Sequence, residues 1–307
     1  MTKKYSEDIH DYVEPFYING LEGRMLKAST KTSKKLNILY VYDVLDSLEN
    51  SWGMIENLRN YGNVTSVDMP GIGGMTSFSK IDNQISIDAY ADYLAAFIKL
   101  RFKHQKITMV AKGFGFVAIT RMLLKYPALS KKMKMIVNIA GEIHRDDIQL
   151  SQNQIKALSS IYVLLSFWPL SSLSKVLLKN DQFIRHINSR FDASYFQMLL
   201  RFNDFLTFNE HKKILNSMHM PTYWRVMNQL NKLDNCTKRI DIPLKHAYFK
   251  KYGLINYATQ KQHMMITYKN YRSYEIKLPE NNTGSARKDA SYLLPSGLKR
   301  VLSSAKA

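Results

Sequence analysis

The sequence predicts an α/β protein, a mostly parallel sheet flanked by helices and interrupted by a helical insertion. Three observations predict it. Short, nearly continuous apolar runs alternate with segments of helical pattern, as happens when strands are covered on both faces. One such run, residues 107–111 (ITMVA), leads through a glycine-containing turn straight into a helix. The alternation stops near Asp147 and resumes at Ile242. It leaves an insertion of roughly ninety residues, which must bury its own apolar face against the rest of the chain.

The elements follow in order. The first clear strand is 37–44 (NILYVYDV), and a helix over 51–61 is closed by Gly62 in a helix-stop position. A second strand, 64–68, runs into the turn MPGIGGM. The helix 87–102 has Ser86 as its cap, Asp88 and Asp92 early and Lys99 and Arg101 late, all suited to the helix dipole. The strand 107–111 is followed by a helix through Tyr126 that stops at Pro127, and then by the strand 134–140 (KMIVNIA). Segment 147–235 is helical and rich in Phe, Leu and Met. The strand starting at Ile242 (IPLKHAYF), a helix over 258–268, a strand over 274–278 and a helix over 296–303 complete the chain. The expected division is 1–146 core, 147–236 helical cap and 237–307 core.

The 307 residues are 45% hydrophobic and 12% aromatic, which is globular composition. The single cysteine, Cys236, permits no intrachain disulfide and fits a reducing compartment. It has no evident base partner and reads as structural. The N-terminal stretch lacks the apolar run of a signal peptide, so the expectation is a cytoplasmic protein. The net charge of +19 would suit an acidic partner. The lysines are scattered rather than blocked, however, so no specific nucleic-acid binding is expected. Residues 157–174 carry no charge but contain six serines and Pro169. A buried helix pair is favoured there over peripheral membrane contact.

The sharpest local signal is TMVAKGFGF, residues 108–116, between a buried strand and a helix. It resembles the nucleophile elbow G-x-S-x-G of the α/β-hydrolase superfamily, with Ala111 at the first glycine, Gly113 in place of the serine and Gly115 at the second glycine. DMPGIGGM at 68–75 resembles a D-x-P-G-x-G-x-S turn of the same superfamily, and Trp52 lies in the preceding helix, where such proteins often have one. The insertion after Ala140 falls where the superfamily places its cap.

The catalytic groups that the resemblance implies do not carry over. Gly113 has no side chain to attack with. The loop 279–289 (PENNTGSARKD), where the histidine belongs, contains none. The loop 249–257 (FKKYGLINY), where the acid belongs, has no carboxylate. The oxyanion loop reads Tyr42-Asp43-Val44-Leu45, and a carboxylate there would repel a developing oxyanion. Asp43 and Asp46 are expected to solvate this loop and cap a helix. Glycine at the elbow relieves the strain such a turn imposes on serine.

Tyr42, Asp43, Val44 and Phe114 are therefore the oxyanion-like, pocket-lining candidates. His144, Asp146 and Lys112 are candidates for relocated catalytic groups, with His144 and Asp146 or Asp147 of GEIHRDD set against a plain polar hinge. No metal site and no cofactor are expected; two or three candidate ligands without a second cluster define no site. The glycines of PGIGG lack a full nucleotide fingerprint. Aromatics of the insertion, among them Tyr162, Phe167, Trp168, Phe183, Tyr223 and Trp224, would line an apolar cavity or form core. The expected function is binding of a small apolar ligand or a protein partner by a hydrolase-like protein without its triad. The alternative is an active esterase- or lipase-like enzyme with relocated groups.

Overall fold

The computed structural model describes residues 8–33, 36–190, 208–250, 255–277 and 290–305. Its centre is an eight-stranded sheet in the order β1-β2-β4-β3-β5-β6-β7-β8. The strands are β1 (Val13–Ile18), β2 (Leu21–Ala28), β3 (Leu36–Val41), β4 (Gly62–Val67), β5 (Ile107–Lys112), β6 (Met133–Ile139), β7 (Ile240–Tyr248) and β8 (Tyr268–Glu275). From β4 to β8 every pairing is parallel, while β1 with β2 and β2 with β4 are antiparallel. Strands β3, β5 and β6 are buried almost throughout, the consequence of covering a parallel sheet on both faces.

The flanking helices are α1 (Trp52–Leu58), α2 (Ile87–Arg101), α3 (Phe114–Lys125), α9 (Tyr257–Thr267) and α10 (Ser296–Ser304). Ser86 caps α2 by accepting from Ala89 N at 3.0 Å, the interaction its position predicts. Phe97 of α2 meets Phe16 of β1 edge to face at 5.3 Å.

Three local expectations need correction. The first strand is not at residue 37: the hairpin β1–β2 precedes it, turning on Asn19 (φ +50°) and Gly20 (φ +78°). Gly62 is not a helix stop but the first residue of β4, where a β-carbon would run into the Leu36 carbonyl of β3. The last strand begins at Tyr268 rather than 274, directly after α9; the expected range 274–278 ends just outside the described residues.

Between β6 and β7 the described residues form α4 (Gln152–Leu165), α5 (Leu170–Leu178), α6 (Asp181–Arg190), α7 (Phe208–Ser217) and α8 (Met220–Leu230). Helix α8 ties this segment to the loops at the carboxyl ends of the strands. His219 N donates to Gly71 O at 3.0 Å. The Ser77 and Thr222 hydroxyls meet at 2.9 Å, and Gln229 bridges Ile85 O and Ile87 N, both at 2.7 Å.

Candidate functional site

The site starts from one backbone conformation. β5 ends at Lys112 and α3 begins at Phe114. Between them Gly113 has φ +50° and ψ −123° and donates its N–H to Ile139 O of β6 at 3.1 Å. Glycine reaches positive φ without the penalty a β-carbon brings. Space imposes a second demand. A β-carbon at Gly113 would stand 2.5 Å from Oδ1 of Asp43 and closer still to its Cγ and Oδ2. The volume of an elbow side chain is thus filled by a carboxylate from the turn after β3.

Asp43 is held there by two backbone donors. Its Oδ1 accepts from Val44 N at 2.7 Å and from Phe114 N at 2.9 Å. Phe114 is the first residue of α3, so the carboxylate also sits at the favourable positive end of that helix. An acyl-transferring elbow uses the N–H after the nucleophile and one from the earlier strand's loop to hold the oxyanion. Here such a pair converges on the protein's own carboxylate. Of the expected lining residues, Val44 and Phe114 contribute these amides, and the Phe114 ring packs edge to face on Tyr90 at 5.0 Å.

Tyr42 is buried, and its hydroxyl donates to Asp68 Oδ1 at 2.7 Å. Arg24 Nε donates to the other Asp68 oxygen at 2.8 Å, and Arg24 Nη2 reaches Gly73 O at 2.6 Å. Burial pushes the Asp68 carboxyl up to about 7, against the pull of Arg24 and the Tyr42 hydroxyl. This network fixes the β3 turn from which Asp43 projects. Lys112 points to Asp46 Oδ2 at 3.0 Å. Burial works against its ammonium, but Asp46 and Asp43 outweigh it and hold the pKa above the ordinary lysine value. The two aspartates therefore do not solvate a loop: one fills the elbow, and the other is a buried ion-pair partner.

His144 and Asp146 are brought together, with His144 Nδ1 3.5 Å from Asp146 Oδ2. His144 Nδ1 accepts the Asp146 backbone N–H at 3.2 Å and caps the short turn Arg145–Asp147. A shorter imidazole–carboxylate contact joins His263 Nδ1 on α9 to Asp147 Oδ1, at 2.6 Å. Asp147 is fully buried, and its Oδ2 accepts from Ile143 N at 2.8 Å and His144 N at 3.0 Å. The rings of His144 and His263 lie 4.5 Å apart. Among the described residues no hydrogen bond joins either ring to Asp43 or Lys112. Sequence reasoning missed His263. Its only signal is a lone histidine in KQHMM, far from any motif.

Cys236 is half-buried, and burial raises its thiol pKa. Among the described residues no three His, Cys, Asp or Glu side chains converge as a metal site would require. Of the insertion's aromatics, Tyr162 stacks on Trp224 at 5.9 Å and Tyr223 meets Trp224 at 4.7 Å, all three buried as core. Phe167 and Trp168 are exposed. The remaining aromatics between residues 191 and 207 lie outside the described residues, as does the loop 279–289.

No protein-family model matches the chain, and no curated protein matches its sequence. Solved structures do match. One, assigned as a lipase from Acinetobacter baumannii AYE, is 14% identical with a TM-score of 0.64, covering 94% of this chain and 90% of that one. The chain has the α/β-hydrolase fold. A hydrolase from Oleispira antarctica (12% identity, TM-score 0.62) covers 91% of this chain and 94% of its own. A thermophilic esterase from Thermogutta terrifontis (11%, TM-score 0.58) covers 95% and 94%. On this α/β-hydrolase frame, Gly113 stands at the strand–turn–helix elbow and Asp43 in the turn that faces it.

Proposed function

We propose that this chain is an α/β-hydrolase-fold protein without serine-hydrolase activity, which acts by binding a small apolar ligand or a protein partner beneath a helical cap. The observation that carries the reading is the Asp43 carboxylate bound to the Val44 and Phe114 amides against a glycine elbow. Acyl transfer at this turn needs a nucleophile and an empty pair of donors for the developing negative charge. Gly113 supplies no nucleophile, and the donors already hold an anion that would repel a second one. Binding asks less of the site. Open α/β sheets take ligands outside the carboxyl ends of their strands, where α8 meets the loops at Gly71 and Ser77. A fluorophosphonate label and a p-nitrophenyl butyrate assay test this reading, and both are expected to read at background. Turnover by the unmodified protein that disappears in Asp43→Asn would overturn it.

One observation favours a second reading, an active enzyme with relocated groups. The buried Asp147 carboxylate orients the His263 imidazole, as the acid of a triad orients its base. What the pair lacks is a nucleophile, because among the described residues no hydroxyl or thiol is hydrogen-bonded to the His263 ring. Esterase turnover lost in His263→Gln would establish this reading in place of the first.

A further inference from the structure

The helices α4 and α5 are amphipathic in the unusual sense. One row of serines faces inward: Ser171 is 1% exposed, Ser166 and Ser174 are buried, and the Ser174 hydroxyl accepts from Trp224 Nε1 of α8 at 2.9 Å. Asn231 Nδ2 donates to the Ser159 hydroxyl at 3.1 Å, and Lys175 Nζ reaches Asn216 O and Met218 O at 3.1 and 2.9 Å. Ile155, Tyr162 and Leu178 are buried beside them, and a second set of large apolar residues faces out. Leu164 is 58% exposed, Trp168 80% and Val176 66%, with Phe167 and Leu173 beside them in the exposed set. The two helices meet at 104°, so residues 166–169 form a corner that carries the most exposed of these side chains.

We infer that this corner docks on an anionic lipid surface, inserting Leu164, Phe167, Trp168, Leu173 and Val176 at the level of the headgroups. A soluble monomer seldom leaves so continuous an apolar face in water. Charge complementarity selects the partner. From Ala157 to Ser174 there is no charged residue, and Lys156 and Lys175 stand at the two ends. Across α4, α5 and α6 the only carboxylate is Asp181, and Arg185 engages it at 2.7 Å. Lys179, at the end of α5, adds positive charge, on a protein of net charge +19. Apolar side chains that include Trp, on helices with the exposed Lys156 and Arg185 and a single carboxylate, match an interface of acyl chains beneath anionic headgroups. Docking is interfacial rather than spanning. No single helix among the described residues is long and apolar enough to cross a bilayer, and the serine faces are already bound to α8 and its flanks. The docking face lies on α4 and α5, away from the Gly113–Asp43 contact, and it does not depend on whether the elbow is catalytic.

The test is co-sedimentation of the full chain with vesicles of phosphatidylcholine, alone or with a quarter phosphatidylglycerol, at physiological salt. The wild type is expected to sediment with the anionic vesicles. Its tryptophan emission should shift to the blue, a report on Trp168 because Trp52 and Trp224 are buried. The variant Leu164→Ser/Trp168→Ser/Val176→Ser changes only exposed side chains, so its thermal melt should match the wild type. Its partitioning should fall by at least about tenfold. Wild-type protein that stays in solution would overturn the inference. So would equal binding by the triple variant, which would mean bulk charge alone drives the association. Self-association abolished by the same substitutions, without vesicle binding, would assign the face to a second copy of the chain and overturn it as well.

Discussion

A β-carbon placed on Gly113 would stand 2.5 Å from Oδ1 of Asp43, so the two residues are coupled although 70 positions apart. Gly113→Ser pays twice, once for a side chain at positive φ and once for displacing the carboxylate from its two amides. The first cost is roughly 1–3 kcal/mol, and the second adds to it. Asp43→Ala removes the obstruction and leaves two amides to water. The double variant is therefore expected to be more stable than the sum of the single changes implies, by about 0.5–3 kcal/mol. A double-mutant cycle by urea unfolding measures this, and strict additivity would mean that Asp43 does not occupy the elbow. Neither Gly113→Ser nor the double variant should hydrolyse p-nitrophenyl butyrate, because among the described residues no imidazole is hydrogen-bonded into the elbow, and a restored hydroxyl without a base recovers little. The glycine was legible in the sequence because a strand–turn–helix motif has a fixed place for the nucleophile. Asp43 was legible as a misfit in the oxyanion loop. Its direction was not, since nothing in a turn's residue pattern says which way a side chain leaves it. For His263 even the neighbourhood was hidden: helix α9 brings it to Asp147 across 116 positions.

At the level of elements, the buried parallel strands were legible because their residues are apolar on both faces, as in β5. The strands that escaped are those with one face in water. β8 reads YKNYRSYE, and after the buried Tyr268 its positions are exposed or half-buried, as suits an edge strand guarded by charge. The hairpin β1–β2 is half exposed too, and its signal was the two-residue Asn19-Gly20 turn rather than its hydrophobicity. Within β7, His246 is fully buried, with Nδ1 3.1 Å from the Tyr271 hydroxyl. Burial pushes its pKa down to about 3. Above the unfolded value of about 6.5 the ring is neutral in both states and costs nothing. Below it the unfolded chain binds a proton that the fold refuses, so stability falls by about 1.4 kcal/mol per pH unit until the pH nears 3. His246→Gln removes that slope. The stability difference between wild type and variant, measured by urea unfolding at pH 7 and pH 5, should shift by about 2 kcal/mol toward the variant on acidification. An unchanged difference would mean that His246 titrates normally in the folded protein.

For the whole molecule, the order of strands and helices in the sequence was enough to specify a parallel α/β sheet, because each buried run needs a crossover of helix length before the next. What the sequence could not show is the outward face of α4 and α5. An uncharged stretch of Leu, Ser and aromatics reads the same whichever side is turned to water, and only α8 packing on the serines decides it. Charge raises the corresponding question for the molecule as a whole. With 44 basic residues against 25 acidic ones, a nucleic-acid partner is the obvious thought. Many of the bases are already engaged: Arg24 with Asp68, Lys112 with Asp46, and Lys125 with Asp92. The remaining lysines are spread along the chain rather than gathered into blocks. Binding to duplex DNA is therefore expected only as a weak, non-specific association driven by counterion release, which falls steeply as salt rises. Fluorescence anisotropy with a labelled duplex, titrated at low and at physiological salt, should show binding in the first and almost none in the second. Saturable binding at physiological salt would require several bases to contact phosphates together, and would mean that the positive charge forms a nucleic-acid surface after all.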